Sequence, residues 1–367
     1  MEYFNVWFIL IVFFYFLILF NFMYLSHKPD FLNNITGFGT LFFVFTHILL
    51  FIVLMNQESS LRKVIVPMWL LTLTVPLLLP VILILLSTLL MYGFKKITKK
   101  DLTSVGKKLE EKQKVWSKAK KDSLRKLNHV LIFIGLVVVW YVGLYIIIDY
   151  TGSSTGMVPE ENNMLLLYLK LIDEPNSITE VLFSLGWFYY LLFFFFYVFS
   201  LFIIANEFAR KSRRISFPFT FFTKIYLDEK EQQNYGTYLY FAIGQMFAAF
   251  VCPPMVFFTI LGISSISDLM TSQIGIRFGK THIPWNGNKT WEGTIAGTLV
   301  TLVICFLFVG IFWSLIFTLA FLIFDIFTSK PINLSDNLLI PIGCSLIYLF
   351  IRFFFNLDYN TIILSWI

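Results

Sequence analysis

Charge is what this chain has least of. Only 14% of its residues are Asp, Glu, Lys or Arg, where a soluble globular protein carries about a quarter. The three cysteines, Cys252, Cys305 and Cys344, show no CxxC spacing and all sit in apolar runs. That excludes a disulfide framework and reads as small core residues. The four histidines form no HExxH or HxxxH pair, which removes the usual zinc arrangements. Walker A and the HRD and DFG signatures of protein kinases are missing too, so a nucleotide site here is of another type.

Apolar residues are abundant. They make up 58% of the 367 residues, 45 of which are Phe, and mean hydropathy is +0.78. A soluble fold of this length cannot hide that surface, whereas lipid solvates it. Uncharged runs approach or exceed the roughly 20 residues a spanning helix needs. The candidate spans are 4–25, 38–55, 65–93, 128–148 and 181–205, two within 235–276 turning at Pro253-Pro254, two short ones within 295–328, and 337–355. The run from Phe4 to Leu25 has neither a basic start nor a small-residue cleavage site, so it reads as a retained helix and not a signal peptide. The expected fold is an all-α polytopic membrane helix bundle of about eight to ten transmembrane helices.

Charge asymmetry supplies an orientation. Lys95 to Lys126 holds about thirteen Lys and Arg against four acids, and Glu207 to Asn234 is also net basic. The loop after Tyr150 is acidic, with Glu160, Glu161, Asp173, Glu174 and Glu180. The positive-inside rule then places both basic loops in the cytoplasm. The stretch from 95 to 127 is expected to lie as a helix on anionic phospholipid headgroups. It separates an N-terminal membrane region, 1–94, from a membrane domain, 128–367.

Polar residues cluster densely from Ser264 to Gly297. Asp268 sits inside an otherwise apolar helix, where a carboxylate requires a polar cavity, a cation or a partner. Mg²⁺ held by one or two carboxylates and substrate phosphates meets that requirement; so does a hydrogen bond to a neighbouring helix. Gly275 and Gly279, with Arg277 and Lys280 among them, permit close approach of a phosphate to the backbone, or else form a GxxxG packing face. Asn286-Gly287-Asn288 reads as a turn. Lys289 is a point charge for phosphate, Thr290 an N-cap, and Glu292 a second carboxylate for metal or proton transfer. Two further groups stand apart: Arg125-Lys126 with His129 at a helix entrance, and Asp336-Asn337 before an apolar run, where an N-cap is the simpler reading.

Taken in order, these clusters resemble the CTP-dependent lipid kinase family, which includes dolichol kinase, phytol kinase and the CTP-using diacylglycerol kinase. The family's Arg-Lys-x-x-His element is matched by Arg125, Lys126 and His129. Its middle element is matched loosely by Lys224, Glu229 or Glu231, Gly236, Tyr238 and Tyr240. Its core is matched by Asp268, Gly275, Phe278, Gly279, Lys280, Lys289, Thr290, Glu292, Gly293 and Thr294, and its last element by Asp336, Asn337, Leu338 and Pro341. The likeness covers roughly 122–355. Ser267-Asp268 and Met270-Thr271 depart from the family's Gly-Asp and Ala-Ser. Lys289-Thr290-Trp291-Glu292-Gly293 is equally similar to phosphatidate cytidylyltransferase, but nothing after Gly297 supplies that enzyme's later segments.

The resemblance implies a cytoplasmic-face enzyme that moves a phosphoryl group from CTP to a membrane lipid alcohol, with Mg²⁺ and with no nucleic-acid partner. Polyprenol or dolichol is the favoured acceptor, with phytol-type isoprenoids and diacylglycerol as alternatives. Gly275, Gly279, Lys280 and Lys289 would meet the phosphates, with Arg277, Thr290, Gly293 and Asn337 beside them. Asp268 and Glu292 would hold the metal. Arg125 and Lys126 would hold the product phosphate or the nucleotide, and His129 or Asp336 would accept the hydroxyl proton. The competing expectations are a cytidylyltransferase and a non-catalytic transporter or scaffold.

Overall fold

The structure is a computed structural model that describes residues 2–25, 30–55, 62–98, 116–151, 185–212, 214–220, 227, 231 and 233–359. The acidic loop after Tyr150, the middle of the basic stretch, Lys224 and Glu229 lie outside the described residues. In chain order the helices are α1 (Glu2–Leu25), α2 (Phe31–Met55), α3 (Arg62–Thr98), α4 (Lys118–Thr151), α5 (Leu185–Lys211), α6 (Thr237–Val251), α7 (Pro254–Gly262), α8 (Asp268–Phe278), α9 (Trp291–Phe327) and α10 (Asp336–Phe355). A π-turn, Ile263–Ser267, joins α7 to α8 without interruption, and another, Thr328–Ile332, follows α9. Among the described residues, strand is confined to β1 (His282–Ile283) and β2 (Asn286–Thr290), an antiparallel hairpin.

Seven helical segments are long and apolar enough to cross a membrane, and the chain is an all-α, multi-pass integral membrane protein. Backbone in lipid must pair within its own segment, which is why the long apolar runs are helical. The first half of α9 shows the pattern. Gly293, Thr294, Gly297, Thr301, Cys305 and Phe308 are buried, while Ile295, Leu299, Val303 and Phe306 are exposed. The small and polar residues of this arm lie mostly on its buried side and its exposed side is bulky and apolar, as packing in lipid favours.

Length alone would make α9 one helix, but it is two arms. At Gly310 the backbone has φ 80° and ψ 179°, which an L side chain rarely adopts. The Ser314 hydroxyl donates to Leu302 O at 2.7 Å, and a Cβ at Gly297 would lie 3.1 Å from the Phe321 ring. Residues 291–309 and 311–327 therefore run antiparallel, as the division of 295–328 into two short spans anticipates. The expected break at Pro253-Pro254 is also present, between α6 and α7.

The chain forms two compact units, 1–121 with 197–242, and 122–196 with 243–367. The first unit is not the expected 1–94, because later residues reach back to complete it. Tyr197 OH donates to Leu73 O at 3.1 Å, Ser216 N–H to Thr88 Oγ1 at 3.0 Å, and Tyr240 OH to Asn34 Oδ1 at 2.8 Å. Within it α1 packs on α2 and α3, with Tyr15 stacked on Phe45 at 4.0 Å. This unit also buries an ion pair at the end of α5. Arg210 donates to both Glu207 oxygens at 3.0 and 2.6 Å, and to Asn234 O at 2.6 Å. The Tyr238 hydroxyl and the Gly236 N–H donate to the same carboxylate.

In the second unit the core is aromatic. Trp140 meets Phe258 edge-on at 5.5 Å, Phe193 meets Phe250 at 5.3 Å, and Trp313 meets Tyr348 at 5.0 Å.

Candidate functional site

The second unit gathers a cluster of ionisable residues at one end, and three pairings assemble it. The first joins α4 to α8. Lys126 Nζ donates to Asp268 Oδ1 at 2.8 Å and to Asp268 O at 2.9 Å. One turn earlier, Asp122 accepts from the Ser272 hydroxyl, from Gln273 Nε2 at 3.2 Å and from Arg125 at 3.2 Å. The 122–272 and 126–268 contacts make the two helices antiparallel neighbours. Lys126 is 7% exposed and Asp268 is 4% exposed, so each charge is tolerable only because the other is there. His129 is buried one turn further along α4, within electrostatic reach of Lys126, Arg125, Asp336 and Asp122. A π-turn immediately precedes Asp268; such turns recur at functional sites.

Glycine makes the second pairing, between α8 and the first arm of α9. A Cβ at Gly293 would lie 2.5 Å from Thr271 O and 3.1 Å from the Gly275 backbone. One at Gly297 would overlap the Thr271 hydroxyl, and one at Gly279 would meet Thr290 Oγ1 at 2.6 Å. Gly275-x₃-Gly279 and Gly293-x₃-Gly297 thus face each other across a close helix crossing. Of the two readings open for Gly275 and Gly279, packing accounts for this geometry. The Gly279 N–H is moreover taken by Gly275 O at 3.1 Å. Thr290 caps α9 as expected, its Oγ1 accepting from the Gly293 N–H at 3.4 Å.

The third pairing lays β2 along the far end of α9. Lys289 Nζ donates to Asp325 Oδ1 at 2.6 Å and lies 3.8 Å from Asp336 Oδ2. The other Asp325 oxygen accepts from the Thr294 hydroxyl at 2.6 Å. Asn286 Nδ2 donates to Ile326 O at 2.9 Å, and Trp285 stacks on Phe327 with centroids 6.1 Å apart. Burial favours the neutral form of Lys289. Asp325, Asp336 and Asp268 more than offset it and hold the ammonium pKa above the ordinary lysine value.

Lys126, His129, Asp268, Lys289 and Asp336, separated by up to 210 positions in the chain, therefore meet at one end of the unit. Asp336 opens α10, its Oδ1 accepting from the Asn337 N–H at 3.0 Å, and its side chain is 28% exposed. Glu292 does not join them. Its carboxylate accepts from the Thr281 N–H at 3.1 and 3.3 Å, so the expected Asp268–Glu292 metal pair is not assembled: Lys126 occupies one carboxylate and the hairpin backbone the other. Arg277 and Lys280 are exposed beyond the end of the cluster, Asn337 is buried, and Gly236, Tyr238 and Tyr240 belong to the first unit.

Two members were not among the expected site residues. Asp325 is 1% exposed and lies in an otherwise apolar run; an ionisable residue at such a depth was itself the available signal. Asp122 was hidden by the basic residues around it. Among the described residues no three of His, Cys, Asp and Glu gather as a metal site.

No family model, curated protein or solved structure matches the chain.

Proposed function

We propose that this protein transfers a phosphoryl group from a nucleoside triphosphate, CTP by the sequence resemblance, to the hydroxyl of a membrane lipid at the cytoplasmic face. The observation that carries this reading is the meeting of Lys126, His129, Asp268, Lys289 and Asp336 at one end of a membrane unit. Phosphoryl transfer asks a protein for positioning and charge neutralisation more than for covalent chemistry.

Lys289 is the phosphate-binding cation in this reading. Asp325 keeps it charged and aimed past Asp336, and incoming phosphate competes with Asp336 for the ammonium. Arg125 lies nearby as a second cation. Asp336, at the half-exposed edge, accepts the proton of the lipid hydroxyl; His129 is the alternative acceptor. The donor set does not suit a resident metal enclosed by protein ligands. It suits Mg²⁺ carried in on the triphosphate, with Asp336 as the partly exposed carboxylate that would help hold it, while Asp268 stays engaged by Lys126. Such an ion would neutralise phosphate charge. Polyprenol or dolichol is the favoured acceptor; phytol-type isoprenoids and diacylglycerol offer the same chemistry, one hydroxyl on an apolar body.

The test uses the purified chain in nanodiscs with γ-labelled CTP and a panel of polyprenol, phytol, diacylglycerol and phosphatidate. Label in a lipid monophosphate supports the proposal. Pyrophosphate release with cytidine retained in the lipid replaces it with the cytidylyltransferase that the Lys289–Gly293 run also resembles. Label in neither product leaves a transporter or scaffold. Asp268→Asn should abolish transfer in protein that still folds, and an active variant would remove this site from the mechanism.

A further inference from the structure

Trp285 occupies the tip of the β1–β2 hairpin, in the two-residue turn between Ile283 and Asn286. One face of its indole is backed by Phe327, with the rings 16° from parallel. The side chain is nevertheless 47% exposed, so the ring is held in place yet open. Three ties fix the hairpin: Lys289 on Asp325, Asn286 on Ile326 O, and Trp285 on Phe327. They engage three consecutive residues of α9, so ring and ammonium are mounted on one rigid edge.

The chemistry along that edge is graded. Lys289 lies in the ion-pair cluster. Four residues back along the chain, roughly 13 Å at 3.3 Å per residue, the polar face gives way to the aromatic tip at Trp285. Lys280 and His282 are exposed on the opposing side of the hairpin. Asn286, next to Trp285, is fully buried and anchors the base of the turn. A cation at one end and an open, flat π face at the other together suit a nucleotide, whose triphosphate and base lie a comparable distance apart.

We infer that Trp285, braced by Phe327, is the platform on which the base of the donor nucleotide stacks while its phosphates reach Lys289. The inference rests on the proposed phosphoryl transfer and deepens it by separating base recognition from phosphate recognition. Stacking tolerates any base because every base has a π face. Trp285 therefore contributes affinity for a nucleotide over bare phosphate and does not itself select cytosine. An exposed tryptophan near a membrane can instead anchor at the headgroups, and the test must separate these roles.

Binding of CTP, UTP and inorganic tripolyphosphate is measured for wild type, Trp285→Ala and Trp285→Phe, all full-length. Each is placed in phosphatidylcholine nanodiscs with and without phosphatidylglycerol. The expected result is that Trp285→Ala weakens CTP and UTP alike by about tenfold or more, leaves tripolyphosphate unchanged, and behaves the same in both lipids. Trp285→Phe should retain most of the affinity. The platform is overturned if Trp285→Ala weakens tripolyphosphate as much as CTP, or if it weakens neither. A defect confined to one lipid composition overturns it in favour of a headgroup anchor. A wild type that binds no nucleotide sinks the proposed transfer as well. A wild type that binds CTP while Trp285→Ala binds equally well sinks the platform alone.

Discussion

Each unit buries an ion pair in apolar surroundings, and the two are built for opposite ends. In the first unit, Glu207 and Arg210 lie three residues apart on one helix and close on each other. Each Glu207 oxygen takes an Arg210 N–H, and the carboxylate also accepts from Tyr238 and Gly236. Arg210 also donates to a loop carbonyl. The charges are spent on holding the chain together. In the second unit Lys126 with Asp268 and Lys289 with Asp325 and Asp336 join residues far apart in sequence, and the cluster has a partly exposed edge. Asp336 and Arg125 each retain 28% side-chain exposure, and Lys289 lies 3.8 Å from Asp336. A closed pair has nothing left to offer a ligand, whereas Lys289 and Asp336 still do. Burial and charge alone do not separate a site from a staple; what separates them is whether the hydrogen-bonding capacity is used up locally.

Removing one charge should break the closed pair most severely. Arg210→Ala leaves the Glu207 carboxylate buried and uncompensated, at a cost of about 3–5 kcal/mol. Chemical denaturation in detergent would show it, with activity per folded molecule unchanged. At the open pair the corresponding loss is in the proposed function: Lys289→Ala should reduce the proposed lipid phosphorylation by about a hundred- to a thousandfold, the range for deleting one donor to a charged transition state. Double variants sharpen the contrast. Glu207→Gln with Arg210→Met should regain most of the lost stability, since a neutral pair often replaces a buried ion pair without penalty, and should retain activity. Asp325→Asn with Lys289→Met should likewise fold but stay inactive. Recovery of transfer by that second pair would make the cluster another staple. A smaller effect is expected where no charge is involved. Gly293→Ala should destabilise the second unit by about 1–3 kcal/mol through overpacking against Thr271 and Gly275, read as a lowered melting temperature in nanodiscs. Gly310→Ala should cost about 1–2 kcal/mol by forcing a side chain into positive φ, measured in the same way.

Much of this was legible in the sequence, for identifiable reasons. Long uncharged runs admit one solution in lipid, so the helices, the break at Pro253-Pro254 and the doubling of 295–328 could be read from length and composition. Asp268, Lys289 and the Arg125–His129 element stood out because polar residues are so rare around them. Asp325 passed unnoticed as one acid in a strongly apolar run, although rarity was the same signal that exposed Asp268. Glu207 was submerged in a net-basic stretch, and local charge counting cannot tell a buried carboxylate from a solvated one. The membership of the first unit was hidden for a different reason. Its completion by 197–242 depends on contacts such as Ser216 with Thr88, which no local pattern encodes. Glu292 misled because its spacing from Lys289 suits a ligand, while its carboxylate folds back onto Thr281.

The reversal at Gly310 also fixes a matter of parity. A chain that crosses and returns within α9 changes sides an even number of times there, so the segments flanking it, Lys289 before and Asp336 after, emerge together. A reporter inserted at the hairpin tip and one placed in the 333–335 connector should therefore register the same compartment. Counting the apolar stretch as a single crossing would assign them opposite ones, and would invert the address of everything downstream.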